Sequence, residues 1–436
     1  MRFRASEIAM VTDAAVVGDD VAVDGATNDS RALVAGQLFV AIVADRDGHD
    51  FVGAAVAAGA PAYLSERGAW PNIEATAILV DSTRDALAAL GTAARRRMSG
   101  AVVGVTGSVG KTSTKDLIAS VLEGSRRTFA SEKSFNNELG VPLTLFNARD
   151  DVEVVVVEMG ARGLGHIEQL CAVARPTIGV VTAIADAHVE QFGSIEAVAQ
   201  GKGELIESLP DDGVAVLNAA DPRVLAMARR TRARVLTFGD GGDVVAADVV
   251  IHDDLTSTFT AKTPWGSATV ILGTRGAHNI DNALAALAVA GAVGLTLDSA
   301  VPGLRTPRSS PWRMELHRTR SGAQVINDSY NANPTSMAAA LRALDAIPAQ
   351  RRVAVLGVMA ELGAVSEAQH RAVYELAAAL GIEVVAVDAP AYGAAAVGSI
   401  DEALERIGEL GPDDAILVKG SRVAGLDILA ARLLER

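Results

Sequence analysis

A glycine-rich turn followed by a lysine and a threonine is the strongest sign of chemistry in this sequence. It reads T-G-S-V-G-K-T-S at residues 106–113, between an apolar β-type run, Ala101–Val105, and the start of a helix. The two glycines leave several backbone N–H groups free to point at one anion, and a helix N-terminus adds about half a positive charge. The lysine of such a loop reaches terminal phosphates, and its threonine hydroxyl binds Mg²⁺. The residues predicted to surround a nucleotide phosphate here are Gly107, Ser108, Gly110, Lys111, Thr112 and Ser113.

The loop departs from the standard Walker A pattern in one position. That pattern has a glycine five residues before the second glycine of the turn, and this chain has Val105 there. The motif is therefore the variant T-G-x-x-G-K-T, which narrows the set of nucleotide-binding families to consider.

Three further residues could contribute to a metal site. Glu158 ends a buried apolar strand, at the edge of an α/β sheet where ligands bind, and its carboxylate suits Mg²⁺. His188 follows the next strand, and Lys202 comes fourteen residues later. Taken alone, these two are a loop histidine and a solvated helix lysine, although a lysine can also react with CO₂ to give an anionic carbamate. The residues by themselves leave both interpretations open.

Two polar segments near the C-terminus also follow strands. Lys419-Gly-Ser-Arg422 combines cations with backbone N–H groups, which suits an anion. Asn327–Pro334, N-D-S-Y-N-A-N-P, is a run of turn-forming residues. Binding loops of α/β sheets lie at this edge, so both segments predict parts of a site.

The elements that must position these residues fall into three blocks. Residues 1–98 contain short strands and helices without G-x-G-x-x-G, so they predict a smaller α/β domain that does not bind a dinucleotide. Residues 99–307 alternate β-branched runs with helices, which predicts a P-loop-type parallel sheet, with an antiparallel patch at 246–272. Val301–Pro311 has three prolines and predicts a linker. Residues 312–436 alternate again and predict a Rossmann-like doubly wound α/β domain.

Composition excludes several functional classes. The 436 residues carry a net charge of −14 and no basic run longer than three residues, so no nucleic-acid partner is expected. The single cysteine, Cys171, excludes an internal disulfide and fits a reducing cytoplasm. The first residues lack the apolar core of a signal peptide, and no apolar stretch reaches the roughly 20 residues that span a bilayer. The expectation is a cytoplasmic protein with no membrane partner.

Taken together, the motifs resemble those of the Mur ligases, in the order and three-domain arrangement of that family. The motifs that carry the resemblance are T-G-S-V-G-K-T-S (106–113), N-N-E-L-G-V-P (136–142), E-M-G-A (158–161), A-H-V-E-Q-F-G-S (187–194), K-G-E (202–204), H-N-I-D-N-A-L-A-A (278–286), N-D-S-Y-N-A-N-P (327–334), M-A-E-L-G (359–363) and K-G-S-R (419–422). The asparagine-rich loop and the E-L-G segment are similar to those of the branch that adds D-alanyl-D-alanine to UDP-N-acetylmuramoyl-tripeptide.

The resemblance implies roles for individual residues. Glu158, His188 and a carbamylated Lys202 would bind Mg²⁺ together with Thr112, with two ions expected, and Lys111 would bind ATP phosphate. Further nucleotide contacts implied by the resemblance are Asn279 and Asn282, next to His278 near the adenine, and Arg313, Asp328 and Asn331 from the third domain. Contacts implied for the UDP-sugar peptide and the dipeptide are Ser30, Arg31, Asp47, His49, Asn136, Asn137, Asn333, Lys419, Ser421 and Arg422.

The implied reaction is ATP-driven amide formation through an acyl phosphate, in the synthesis of peptidoglycan precursors by a monomer. Lys133-Ser134, Ala183 and Trp312 depart from the family pattern, although none of them replaces a presumed metal or phosphate ligand. The alternatives are another amide ligase on this scaffold, such as a sister Mur ligase or a folate polyglutamating enzyme, a nucleotide-driven switch that hydrolyses ATP, and a binding module without catalysis. The 327–334 loop argues against another amide ligase. The set of five presumed catalytic and metal residues argues against a binding module without catalysis.

Overall fold

A computed structural model describes residues 1–132, 135–185, 189–393 and 396–435. The first block holds a five-stranded sheet in the order β2-β7-β6-β5-β4, with β2 antiparallel, and a separate antiparallel pair, β1 and β3. Its strands and helices are β1 Arg2–Arg4, α1 Ala5–Thr12, β2 Ala15–Val17, β3 Ala22–Asp24, β4 Ala26–Thr27, β5 Leu38–Val40, α2 Val52–Ala57, β6 Ala62–Ser65, β7 Thr76–Leu79 and α3 Thr83–Arg97.

The central block is built on a six-stranded parallel sheet in the order β13-β12-β11-β8-β10-β9. Its elements are β8 Ala101–Thr106, α4 Lys111–Glu123, β9 Thr128–Ala130, α5 Gly140–Asn147, β10 Val154–Glu158, α6 His166–Ala174, β11 Ile178–Val181, α7 Val189–Phe192, α8 Ile195–Glu207, β12 Val214–Asn218, α9 Pro222–Leu225 and β13 Arg234–Phe238. Every residue of β10 and β12 is buried, as expected for apolar strands covered by helices on both faces.

An antiparallel sheet and two helices complete the central block. The order is β14-β15-β16, which confirms the antiparallel patch predicted at 246–272. The elements are β14 Val245–Ile251, β15 Ser257–Thr263, β16 Gly266–Leu272, α10 Asn279–Ala292 and α11 Leu297–Ala300. Helix α10 packs on α4 in the same hydrophobic cluster, and this contact holds the glycine-rich turn between two helices.

The third block is a six-stranded sheet in the order β17-β18-β22-β19-β20-β21, parallel except for β17. Its elements are β17 Glu315–Arg318, β18 Gln324–Asn327, α12 Pro334–Ala346, β19 Arg351–Leu356, α13 Ser366–Ala379, β20 Glu383–Val387, β21 Ala396–Val397, α14 Ile400–Ile407, β22 Asp414–Lys419 and α15 Leu426–Leu434. The predicted doubly wound α/β fold is confirmed, but the two edge strands β17 and β21 were not predicted. The domain boundaries at 98, 307 and 312 remain predictions.

The segment predicted as a linker is not loose. Val301–Leu304 forms a 3₁₀ turn, and Leu304 is completely buried in the α4–α10 cluster. Farther along, the backbone N–H of Arg308 donates to Ser120 Oγ over 2.9 Å, and that of Ser310 donates to Asp116 Oδ2 over 2.9 Å. The segment is therefore ordered and held against α4, and its role as the link between the central and third blocks stays a prediction.

The buried Cys171 gives a test of the central core. The thiol lies on α6 with 4 % of its surface exposed, and burial raises its pKa to about 12. A free cysteine has a pKa of about 8.5, and the thiolate is the reactive species, so we expect a disulfide reagent at pH 8 to label the folded protein more than about 100-fold slower than the unfolded chain. The absorbance of the thiolate released from the reagent measures the labelling rates of the folded and unfolded protein, with Cys171→Ala as the blank. Stoichiometric labelling of the folded protein within seconds would contradict this packing.

Candidate nucleotide and ligation site

The glycine-rich turn joins β8 to α4. In the sheet β8 lies between β11 and β10, so the order of the strands changes direction beside it. Gly107 and Gly110 have φ of 149° and 81°, which favour glycine, and Gly110 is the N-cap residue of α4. A methyl group at Gly107 would overlap Thr182 Oγ1, and one at Gly110 would lie 2.6 Å from Asn282 Oδ1. Thr182, after the carboxyl end of β11, and Asn282 of α10 therefore cover one side of the turn, and a ligand can approach it only from the other side.

Thr182 is a bracing residue that sequence reasoning missed. Its hydroxyl donates to the carbonyl oxygen of Val109 over 2.5 Å, and its backbone N–H donates to that of Thr106 over 3.0 Å. Ser108 adds a hydroxyl bond of 3.1 Å to the Ala185 carbonyl oxygen. These bonds come from the strand next to β8 in space, about 70 residues away in sequence, so no local pattern signals them.

Lys111 lies over the turn. Its Nζ donates to the Gly107 carbonyl oxygen over 2.7 Å. Desolvation lowers the pKa of Lys111, while the nearby Glu158 carboxylate acts in the opposite direction and Arg313 adds to the lowering. This places a cation at the front of the turn, where phosphate oxygens would replace a carbonyl as its partner.

The side chains of Thr112 and Glu158 contact each other, and their role in binding a metal stays a prediction. The Thr112 hydroxyl donates to Glu158 Oε2 over 2.8 Å, and the side-chain amide of Asn136 donates to Oε1 over 2.8 Å. Arg313 of the third block donates from Nη2 to Thr112 Oγ1 over 3.1 Å. Thr112 and Asn136 therefore bind one buried carboxylate, and Arg313 reaches this cluster through Thr112.

Lys202 lies on α8 with 1 % of its surface exposed, so the interpretation as a solvated lysine is wrong. Burial, with Lys111 as a second cause, lowers its pKa well below the ordinary value. Among the described residues, no hydrogen bond or ion pair joins its Nζ to another group. His188 lies outside the described residues, as do Lys133 and Ser134.

The side-chain amides of Asn279 and Asn282, at the start of α10, are both hydrogen-bonded within the protein. Asn282 accepts a bond of 3.0 Å from the Thr114 hydroxyl and donates over 2.8 Å to Asn279 Oδ1. Asn279 in turn donates to the Arg275 carbonyl oxygen over 2.7 Å. Both asparagines line the cavity, together with His278, and their contact with a nucleotide remains a prediction.

The third block contributes a buried ion pair. Lys419 donates from Nζ to Asp328 Oδ2 over 2.5 Å and to the Asn331 carbonyl oxygen over 2.8 Å. Desolvation lowers the pKa of Lys419, and Asp328 opposes that effect. The pair fixes the predicted 327–334 loop against the end of β22, so Lys419 has a structural partner already. Asp328, Asn331 and Lys419 all line the cavity.

Several predicted substrate residues hold the third block together. Asn333 caps α12 by accepting from the Ser336 N–H over 2.9 Å, and Ser421 accepts from the Ala360 N–H over 2.9 Å. Arg422 pairs with Asp427 over 2.6 Å. Asn333 lines the cavity, whereas Ser421 and Arg422 are not among the described lining residues.

The four residues predicted in the first block lie apart from the described lining of the cavity. Arg31 pairs with Asp29 over 2.8 Å, and Ser30 is half-buried beside it. His49 is buried, with Nδ1 2.5 Å from Asp47 Oδ1 and Nε2 accepting from the Glu66 N–H. Both ring nitrogens are therefore engaged within the protein, which suits His49 to shaping the loop. A role of Ser30, Arg31, Asp47 and His49 in substrate binding stays a prediction.

A cavity of about 740 Å³ lies between the central and third blocks, and Lys111, Glu158 and Arg313 are among the residues that line it. Three buried polar atoms at its rim have no hydrogen-bond partner among the described residues: Thr274 Oγ1, Arg275 Nε and Arg313 Nε. Unsatisfied buried donors are rare, so they favour a polar ligand in the cavity. Lining residues that the sequence did not single out include Asn218, Phe238, Thr274 and Arg275, while Asp281 and Glu361 lie within quoted motifs without a predicted role.

The donors at Thr112 and Glu158 fit Mg²⁺. The described residues contain no group of three or more histidine, cysteine, aspartate and glutamate side chains that could hold a metal by themselves. Mg²⁺ prefers oxygen and is usually held by one or two carboxylates plus substrate phosphates and water. A hydroxyl and a carboxylate next to a phosphate loop match that pattern.

This arrangement predicts the effect of Glu158→Gln. The amide keeps the size of the side chain but loses the charge that a Mg²⁺ ion bound there would face, so we expect the Mg²⁺ concentration for half-maximal activity to rise by about tenfold or more. Steady-state rates across a Mg²⁺ titration measure this. Glu168→Gln, an exposed glutamate on α6, is the matched control. An unchanged Mg²⁺ dependence in Glu158→Gln would remove Glu158 from the site.

Comparison with known proteins agrees with this architecture. The Mur ligase middle domain matches residues 105–290, and the Mur ligase glutamate ligase domain matches residues 312–422. The UDP-N-acetylmuramoyl-tripeptide–D-alanyl-D-alanine ligase of Escherichia coli is 36 % identical over 99 % of this chain and 98 % of its own. A crystal structure of MurF from Acinetobacter baumannii has a TM-score of 0.89 at 30 % identity, covering 100 % and 99 % of the two chains. MurF ligase from Thermotoga maritima in complex with ADP has a TM-score of 0.82 at 29 % identity, covering 94 % and 97 %.

The fold and the site define an ATP-dependent amide ligase, with a phosphate loop in the central sheet and a doubly wound third block facing it. The chain belongs to the Mur ligase family, in the branch of the UDP-N-acetylmuramoyl-tripeptide–D-alanyl-D-alanine ligases. No helix in the part of the chain that the structure describes has the length and apolar character needed to cross a bilayer.

Proposed function

We propose that this protein joins D-alanyl-D-alanine to UDP-N-acetylmuramoyl-tripeptide at the expense of ATP, in the synthesis of peptidoglycan precursors. The observation that carries this proposal is the full-length relation to ligases of that name. The cavity supports it, because the phosphate loop faces polar residues of a second α/β unit across one cleft.

The chemistry proceeds in two steps. The terminal carboxylate of the tripeptide attacks the γ-phosphorus of ATP, ADP leaves, and an acyl phosphate forms. The neutral amine of D-alanyl-D-alanine then attacks the acyl carbon, the tetrahedral intermediate expels phosphate, and the nitrogen loses a proton to give the amide. The main barrier is charge repulsion between a carboxylate and a triphosphate, which fixed cations and N–H groups reduce.

Residues of the central and third blocks divide this work. Lys111 neutralises the terminal phosphates, and the turn N–H groups, with Ser108 and Ser113, hold the phosphate oxygens. Arg313 adds a second cation from the third block, 3.1 Å from Thr112. Asn279 and Asn282 lie beside the nucleotide, and Asp328 and Asn331 approach it from across the cleft.

Mg²⁺ would be held by Thr112 and Glu158, with His188 and a carbamylated Lys202 as further ligands, and two ions are proposed. When bound, it neutralises phosphate charge and orients phosphate oxygens. Lys202 supports the carbamate, because burial and a depressed pKa favour the neutral amine that reacts with CO₂, releasing one proton. The carbamate supplies the oxygen donors that the ammonium lacks.

The remaining assignments concern the substrates. The first block is proposed to bind the UDP-sugar through the loops of Ser30, Arg31, Asp47 and His49. Asn136 and Asn137 reach the peptide at the edge of the cavity, and the loops of Asn333, Lys419, Ser421 and Arg422 receive the dipeptide. The protein is proposed to act as a monomer in the cytoplasm, with domains at 1–98, 99–307 and 312–436.

A panel of acceptors tests the proposed function against the other ligases of this scaffold. The protein is incubated with ATP, Mg²⁺ and UDP-N-acetylmuramoyl-tripeptide, and the product is identified by mass spectrometry with D-alanyl-D-alanine, single amino acids or glutamate as the acceptor. The expected product gains one dipeptide with D-alanyl-D-alanine only. A product that gains a single amino acid would assign the chain to a different ligase.

A further inference from the structure

Four side chains of the third block form a stack of two aromatic rings, each of which also contacts a cation. The Arg422 guanidinium lies 4.3 Å from the centre of the Trp312 ring, and the Trp312 and Tyr330 rings stack with centroids 6.4 Å apart at 28°. The Arg313 guanidinium lies 4.3 Å from the centre of the Tyr330 ring. Cations are attracted to the faces of aromatic rings, so each contact in this row is favourable.

The backbone at this point adopts a conformation that must be held in place. Trp312 and Met314 have φ of 60° and 49°, in the left-handed region that non-glycine residues seldom occupy. The segment is held by the neighbouring loop, because the Tyr330 N–H donates to the Trp312 carbonyl oxygen over 3.3 Å and the Met314 N–H donates to Asp328 Oδ1 over 3.2 Å. Strain of this kind persists where surrounding contacts determine it, and it concentrates at functional sites.

The stack ends at the phosphate loop. Arg313 reaches from the Tyr330 ring to Thr112 Oγ1, where Nη2 donates over 3.1 Å, while its buried Nε has no hydrogen-bond partner among the described residues. Arg313 is therefore held by a ring on one side and by the phosphate loop on the other. At the opposite end, Asp427 holds Arg422.

We infer that Trp312 is a positioning residue: its ring fixes Tyr330, which seats the Arg313 guanidinium where it meets a bound nucleotide. The stack thereby ties the orientation of the third block to the phosphate loop. This inference rests on the proposed function for its kinetic readout, but nucleotide binding tests it without ligation.

Trp312→Gly tests the inference directly. Glycine adopts a φ of 60° without strain, so the variant removes the ring and leaves the backbone path open. We expect KM for ATP and Kd for ADP to rise by about tenfold, since misplacing a contacting group costs one to two orders of magnitude. KM for the tripeptide should stay within about twofold, and Trp312→Phe, which retains a ring, should restore ATP affinity. Unchanged ATP and ADP affinities in Trp312→Gly would overturn the inference.

Tryptophan fluorescence distinguishes this positioning role of Trp312 from a purely structural one, because only the positioning role predicts that its emission changes when ADP binds. The chain has three tryptophans, and Trp265 lies in the turn between β15 and β16 of the central block. ADP should change the emission of the wild type and of Trp265→Phe, but not that of Trp312→Phe. An ADP response that persists in Trp312→Phe would contradict the stack's link to the nucleotide. If the wild type binds ADP but ligates no dipeptide, the proposed function fails while these binding results still decide the inference.

Discussion

Replacing Lys111 with alanine is expected to lower kcat/KM for ATP by about 10²- to 10³-fold, the range seen when one preorganised group is removed from a transition-state site. The ammonium lies over the glycine turn, bonded to the Gly107 carbonyl oxygen, and it is the cation of the turn itself. Without it, the charge that builds up as the γ-phosphate is transferred loses its nearest partner. Steady-state kinetics with varied ATP measures the change.

Lys262→Ala is the matched control for this variant. Lys262 is an exposed lysine on β15, outside the cavity, so its removal should leave the rate within about twofold. Thermal unfolding of both variants should stay close to that of the wild type, which separates lost catalysis from lost folding. Wild-type kcat/KM in Lys111→Ala would show that this loop does not carry out the phosphate chemistry.

Replacing Lys202 with alanine should also reduce activity by about 10²-fold or more, because the proposed carbamate is a charged ligand inside the site. Added bicarbonate should not restore the rate, since the variant has no amine to modify. A short carboxylic acid in the vacated space should restore part of it, whereas an alkylamine should not. Full activity of Lys202→Ala would contradict the carbamate, and rescue by the amine would assign the role to the ammonium instead.

Lys202→Met separates this loss from a folding defect. Its apolar chain fills a similar volume without a buried amine, so in CO₂-free buffer we expect its free energy of unfolding near pH 7 to exceed that of the wild type, whose lysine must lose a proton or bury a charge on folding. Because burial lowers the lysine pKa, the unfolded wild type binds more protons between that lowered pKa and the ordinary value. Wild-type stability should therefore rise with pH across this window, and the gain from methionine should shrink.

The parts of the site that could be predicted from the sequence are those fixed by short segments. The strand, glycine turn and helix around Lys111 are contiguous, and the parallel-sheet rule places Glu158 at the same edge because β10 pairs with β8. The apolar patterns of Val214–Asn218 and Arg234–Phe238 predict strands, and that of Thr83–Arg97 predicts a helix, with the bounds that the structure shows, since each pattern keeps one period throughout.

What the sequence did not predict depends on contacts between distant residues. Strand β17 has a single apolar residue, Leu316, and it forms because β18 offers an antiparallel partner. The segment at 301–311 contains the residues of a linker, yet hydrogen bonds to α4 hold it. The burial of Lys202 and the partners of His49 likewise follow from tertiary packing, which local propensity does not report.

Phosphate release provides the most direct test of the central claim. The rate is measured with ATP and Mg²⁺, adding UDP-N-acetylmuramoyl-tripeptide, D-alanyl-D-alanine, both or neither. The proposed ligation predicts sustained release only when both are present, with one amide formed for each phosphate. Sustained release with neither substrate would contradict it and indicate a plain ATPase.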